Sequence, residues 1–406
     1  MRHPPRRDLL KLMALGASLG APLAGSLFSA GRAFATPQSG TRVLVVFLRG
    51  AYDAANVVAP TASDFYHQAR PGIGLARPDP ANPLAALPLD ADWSLHPALK
   101  DTVHPFWAKK QLAFVPYAGT DDLSRSHFET QATVELGQPL GGPRDSNSGF
   151  MGRLARVLND RRPIAFTDQL PLTFRGGPQV ANIGLNGMTR RGPSEREADL
   201  IQQMYKGQEL SGSVARAFEV QDQVSTTMAE MQAADHGAVS AHGFELAARR
   251  IGRLMQDQFN LAFVDVGGWD THVNQGGATG YLANRLGELG RGLAGFADEI
   301  GPADWNNTVV VAISEFGRTF RQNGDAGTDH GHGTTFWVMG GGIAGGRLAG
   351  EQIKLTPESL NEQRDYPVLT DYRAFLGGLF QRIYGLNPAQ LEQVFPQVHP
   401  KDLQLV

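Results

Sequence analysis

Five short apolar runs rich in valine, at residues 43–48, 112–117, 261–266, 308–314 and 335–339, constrain this 406-residue chain more than any other feature. Each has the length of a strand, and none alternates cleanly between polar and apolar residues, so each is expected to be a parallel strand buried on both faces. Amphipathic stretches of helical period lie at 244–258, 280–300 and 371–384, the last with Thr370 or Asp371 placed to cap its first turn. Strands that alternate with helices fold as α/β, and strands hidden on both sides need helices on both sides. The expected fold class is therefore α/β, a doubly wound, mostly parallel sheet flanked by helices.

No linker rich in proline, serine or charge interrupts residues 36–406, and no repeat is visible, so one α/β domain with insertions is expected there. One insertion is a polar helical stretch that opens on Pro193-Ser194 with a Ser194-x-x-Glu197 capping box. It reads as an inserted helical cap over about residues 187–243. A second stretch, 71–88, is dense in proline and is expected to be irregular.

In an open parallel sheet, ligands bind beyond the carboxyl ends of the strands, so the polar residues just after each run are the ones that carry chemistry. They are Arg49-Gly50-Ala51-Tyr52-Asp53 after the first run, Trp269-Asp270-Thr271-His272 after the third and Glu315-Phe316-Gly317-Arg318 after the fourth. A further loop, Thr328-Asp329-His330-Gly331-His332-Gly333, precedes the last run. Carboxylates and imidazoles converging from four loops suit a divalent metal, with zinc, manganese, magnesium and calcium all compatible. The two-residue spacings Asp270-x-His272 and His330-x-His332 allow both members of a pair to point the same way on extended backbone.

The segment Asp121-Asp122-Leu123-Ser124-Arg125-Ser126-His127-Phe128-Glu129 follows the second run and opens a helix. It places two hydroxyls and an arginine at a helix N-terminus, which favours anions. Ser126, or else Ser124, is a candidate metal-activated nucleophile, although Ser126-x-x-Glu129 is also a well-formed capping box.

Residues 1–35 have the parts of a secretory signal: basic Arg2, Arg6 and Arg7, an apolar run over about 12–27, and a small-x-small site at Ala33-Phe34-Ala35. Arg6-Arg7-Asp8-Leu9-Leu10-Lys11 resembles a twin-arginine motif, which implies export of an already folded chain with cleavage after Ala35. Pro22 and several glycines leave the run short of the ~20 apolar residues a span needs, so no stable membrane insertion is expected after cleavage. The chain has no cysteine, so Asp, Glu, His and Ser are left to hold any metal and no disulfide can brace the fold. With a net charge of −3 and no Lys/Arg cluster beyond the signal, nothing points to a nucleic-acid partner.

Over nearly its whole length the sequence resembles the exported bacterial family DUF1501, within the alkaline phosphatase and sulfatase superfamily. The resemblance rests on the twin-arginine start, Phe47-Leu48-Arg49-Gly50 with Asp53, Ser126-His127-Phe128, Trp269-Asp270-Thr271-His272, Ser314-Glu315-Phe316-Gly317-Arg318-Thr319 and Thr328-Asp329-His330-Gly331-His332-Gly333. It implies an alkaline phosphatase-like fold in which Asp53 and Glu315 sit at one metal, and Asp270, His272 and a histidine of the 329–332 loop at another. Superfamily phosphatases commonly carry Asp-His-Gly where this chain has Glu315-Phe316-Gly317. Phe316 cannot bind a metal, so His127 or His330 substitutes, or one metal binds, or catalysis is lost. The reading that results is an exported, metal-dependent hydrolase of phosphate or sulfate esters, with zinc the first choice of metal. Ser126, Ser124 or a water would be the nucleophile, and Arg125 or Arg318 the charge that meets the anion. Its rivals are a non-catalytic binding protein on the same fold and a phosphotransferase. The implied partners are a small-molecule ester and the twin-arginine translocation machinery.

Overall fold

The computed structural model describes residues 40–184, 195–208, 210–212, 214 and 243–406. The expected signal over 1–35 and most of the expected cap over 187–243 lie outside those residues. One helix of the cap segment is described, Glu195–Tyr205.

The strands of the main sheet are β1 (Arg42–Leu48), β2 (Leu112–Gly119), β3 (Pro163–Phe166), β4 (Ala181–Asn182), β5 (Leu261–Val266), β6 (Thr308–Ile313), β7 (Thr334–Met339), β8 (Arg347–Leu348) and β9 (Thr370–Asp371). They pair in the order β8-β2-β7-β6-β1-β5-β3-β4, with β9 also against β2. β1 lies at the centre, parallel to β5 on one side and to β6 on the other. β7 is the exception. It runs antiparallel to both β2 and β6, which corrects the expectation of a parallel strand at 335–339.

That reversal decides where the functional loops meet. β1, β2, β5 and β6 point the same way, so the segments after them leave at one rim. Because β7 runs backwards, the loop before it, with Asp329, His330 and His332, arrives at the same rim.

The helices include α1 (His127–Leu136), α2 (Phe150–Leu158), α3 (Glu195–Tyr205), α4 (Phe244–Asp257), α5 (Tyr281–Trp305) and α6 (Tyr372–Tyr384). β1 divides its side chains between two buried cores, as a strand covered on both faces must. Leu44, Val46 and Leu48 pack with Ile251 and Leu254 of α4 and Leu286 and Leu293 of α5. Val43, Val45 and Phe47 pack with Met151 and Leu154 of α2 and Phe375 and Leu379 of α6. Asp371 caps α6 by accepting from the Arg373 and Ala374 amides. α5 runs past Ile300 only through a break at Gly301, where φ is 78° and Pro302 follows. The proline-dense stretch is not wholly irregular, since Leu87–Pro88 pairs with Ser94–Leu95 in a small second sheet.

Candidate metal centre

His127 is the first residue of α1, so the helix start fixes its backbone at the rim. Asp270 and His272 hang from the loop after β5, and His330 is carried by a short bridge to Arg318 just before β7. Gly50 lets these loops meet: its φ is 114°, and a Cβ there would lie 2.8 Å from the Asp270 amide nitrogen. Gly317 and Gly333 are as tight, with a Cβ on Gly317 only 1.9 Å from the Gly333 carbonyl oxygen.

Three imidazoles turn their Nε2 atoms toward one another and toward Asp270. His127 Nε2 and His330 Nε2 are 3.0 Å apart, and His272 Nε2 is 3.1 Å from His330 Nε2. Asp270 presents Oδ2 to His127 at 3.6 Å, and Oδ1 to His330 at 3.6 Å and to His272 at 2.9 Å. His127, Asp270 and His330 each offer one ligand atom within 4.8 Å of the others.

What each ring does with its other nitrogen explains the orientation. His127 Nδ1 donates to Glu315 Oε1 at 2.7 Å, His272 Nδ1 to Asp329 Oδ1 at 3.1 Å and His330 Nδ1 to the Arg125 carbonyl at 2.8 Å. Each ring is thereby held with a proton on Nδ1 and its Nε2 turned to the cluster, the arrangement in which outer partners orient metal-binding histidines. Burial lowers the His330 pKa, and the Arg125 carbonyl only partly opposes this, which keeps the ring neutral. Burial works to raise the pKa of Asp270, but Arg318 together with His272 and His127 outweighs it and holds the carboxylate below its ordinary value.

Lone pairs set 3.0 to 3.6 Å apart repel unless a cation lies between them. Ligands ~2.0–2.1 Å from a tetrahedral zinc lie roughly 3.3 Å from one another, so the donor set and its spacing fit a zinc-sized ion. Phe316, the residue that cannot ligate, is buried and stacks on His127 with ring centroids 4.9 Å apart. It supports the ring from behind.

Arg318 closes one side. Its guanidinium donates to the carbonyls of Ala51, Gly50 and Thr328, to Asp270 Oδ1, and to His272 Nε2 at 3.4 Å. Four backbone acceptors, the Trp269 carbonyl included, fix this buried cation beside the donor cluster.

Other sequence candidates are placed elsewhere. Asp53 is sealed by Arg70 and Gln275 and does not reach the cluster. Glu315 is fully buried and already accepts from Gly50 N, His127, Gln131 and Ser314. Burial would raise its pKa, yet the hydrogen bonds from His127 and Gln131 hold it below the ordinary glutamate value. Its position is that of an orienting partner for His127. Asp329 likewise holds His272, aided by Asn323. His332 lies among the charges of Arg125, Asp121 and Glu362, apart from its neighbour His330.

The Arg125 side chain turns to Glu362 and Asp365, so it is the backbone carbonyl of Arg125 that serves the cluster. Ser126 Oγ accepts from the Glu129 amide as the cap of α1, and Ser124 Oγ lies 3.3 Å from Thr130 Oγ1. Arg70, Gln131, Gln275 and Asn323 were not legible as site residues, because none follows a strand run or carries a ligand-type spacing. Beyond the ends of β1, β3 and β5 lies a cavity of about 510 Å³ lined in part by Arg49, Thr167, Asp168, Arg175 and Asp265. Arg49 is linked to the centre through Gln131, which bonds Glu315.

Residues 40–395 match the family described as "Protein of unknown function (DUF1501)". The chain belongs to that family. No functionally curated protein matches it. Among solved structures, this DUF1501 chain is similar to the lipoteichoic acid synthase LtaP from Listeria monocytogenes, at 8% identity and a TM-score of 0.39, over 90% of this chain and 76% of that one. It is also similar to a protein in the alkaline phosphatase superfamily from Vibrio parahaemolyticus, at 12% identity and a TM-score of 0.32, over 75% of this chain and 61% of that one. Likeness this distant transfers neither substrate nor mechanism. Among the described residues, no helix is long and apolar enough to cross a membrane.

Proposed function

We propose that this DUF1501 chain is an exported, zinc-dependent hydrolase of phosphate or sulfate esters. The observation that carries the reading is the set of Nε2 atoms of His127, His330 and His272 facing Asp270, each ring oriented through Nδ1. Imidazole nitrogens with one carboxylate favour zinc over magnesium or calcium, which take mainly oxygen. Bound there, the ion supplies Lewis-acid character and a water of lowered pKa.

The chain's own residues account for the rest. Arg318, buried and pinned by backbone carbonyls, sets positive charge behind Asp270 and His272, and its field favours an anionic ester at the centre. Glu315 and Asp329 keep protons on the outer nitrogens of His127 and His272, so that their inner nitrogens turn to the centre. Ser126 Oγ is engaged at the head of α1, which favours water over serine as the nucleophile. A small-molecule ester and the translocation machinery are the partners this reading requires, and replacing Arg6-Arg7 by two lysines is expected to keep the protein in the cytoplasm.

The test is to purify the mature protein without chelator, measure its zinc, and assay aryl phosphate and aryl sulfate esters beside Asp270→Ala and His330→Ala. Turnover of one ester class that falls at least 100-fold in both variants together with the zinc supports the hydrolase. Stoichiometric zinc with no turnover of either class would shift the reading to a non-catalytic binding protein.

A further inference from the structure

The two candidate ligands expected at a separate metal are both completely buried carboxylates, and both already accept from buried donors. Asp53 Oδ1 accepts from Arg70 Nη2 at 3.0 Å, while Oδ2 accepts from Arg70 Nη1 at 2.5 Å and from Gln275 Nε2 at 2.6 Å. Arg70 is equally enclosed. Its Nε donates to the Phe320 carbonyl at 2.7 Å, Nη2 also reaches the Thr319 carbonyl at 3.0 Å, and the ring of Phe320 lies 5.7 Å from its guanidinium carbon. Gln275 is tied to the same rim, because its Oε1 accepts from Thr271 and Thr328.

Charge decides the matter. One carboxylate against one guanidinium is neutral, and a divalent ion added at Asp53 would leave a net double positive charge in a space that water does not reach. Burying uncompensated charge costs several kcal/mol per ion. Expelling Arg70 instead would strand a guanidinium with no exposed path. Glu315 offers no alternative, since it is fully buried and three donors, His127 among them, already share its Oε1.

We infer that the chain binds one divalent ion, at His127, Asp270 and His330 with His272 beside them, and that the buried guanidinium of Arg70 permanently holds the place at Asp53 that a second ion would need. This rests on the metal centre of the proposed function, and a count of metal ions separates the two. The centre is then a single-metal site in which Arg318, rather than a second metal, is the neighbouring positive charge.

The experiment is native mass spectrometry with elemental analysis on the full mature chain, stripped by chelator and titrated with zinc alone. The wild type is expected to take up one zinc per chain. Asp270→Ala is expected to weaken that uptake at least 100-fold and to leave no other tight site. The neutral exchange Asp53→Asn with Arg70→Gln is expected to keep one zinc with affinity changed less than about threefold. Two zincs per chain, or one tight zinc remaining in Asp270→Ala, would overturn the inference while leaving a metal enzyme in place. No zinc in the wild type would overturn the proposed function itself. Should the double exchange fail to fold, the wild-type count and Asp270→Ala still decide between one ion and two.

Discussion

His96 is fully buried at the head of a short turn, where Nδ1 accepts from the Ala98 amide at 3.1 Å and Nε2–H donates to the Gly277 carbonyl at 2.9 Å. A proton on Nδ1 would break the first of these bonds and place a charge in the core, so burial lowers the pKa to about 4. The unfolded state binds that proton more readily, near pH 6.5, so the stability from neutral His96 is present above that pH and is lost as pH falls toward 4. At 1.36 kcal/mol per unit, roughly 3 kcal/mol is at stake. Denaturant unfolding of chelated protein at about pH 7.5 and 4.5 is expected to show this loss, and His96→Gln should be less stable at the higher pH with a flatter pH dependence. An equal pH dependence in the variant would refute it. The same residue type has another fate at His330, whose lone pair faces other donors, and a third at His332, two positions on, which sits among surface charges. Nothing in the sequence around these histidines distinguishes their fates. Asp53 makes the same point: it stands just after a strand, as a ligand would, and only its contact with Arg70 removes it from the set.

The head of α1 has two tasks, to cap a helix with Ser126 and to present His127. If Ser126 only caps, Ser126→Ala should cost about 1 kcal/mol or less, since its bond to the Glu129 amide is long at 3.5 Å, and turnover should fall no more than a few-fold. Thermal melts with steady-state rates test this, and a loss of several orders of magnitude in kcat at unchanged zinc content would make Ser126 the nucleophile. At this scale the apolar runs and helix periods foretold β1, β2, β5, β6 and the extents of α4 and α6 closely. β7 was foretold as a strand but not in direction. A run such as Thr334–Met339 reads the same either way, whereas its pairing depends on β2 and β6, and β2 lies more than two hundred residues away in the chain. The short strands β3, β4, β8 and β9 carry too few apolar residues to stand out, and their partners in the sheet make them strands.

The candidate metal centre joins loops from both halves of the chain, so occupancy should stabilise the molecule as a whole. An ion at about 1,000 times its dissociation constant adds about 4 kcal/mol to a state that alone can bind it. Adding zinc to chelated wild type is therefore expected to raise the melting temperature by several degrees, and Asp270→Ala should show no such rise. An equal rise in both would place the zinc elsewhere. What the sequence by itself determined was whatever neighbours in the chain enforce: two-sided burial of the strand runs, helix period, a cap at Ser126 and another at Thr370 or Asp371, and the crowding of chemical residues at strand ends. What only the tertiary structure decided was which of those residues face one another. His127 meets Glu315 across 188 positions and Gln275 meets Asp53 across 222. Such pairings follow from strand order and direction, which are fixed by the burial of the whole sheet and by no local pattern. For that reason the sequence could nominate eight metal ligands, and the fold alone could bring four of them together, turn two more to the imidazoles, give one to Arg70 and set His332 apart.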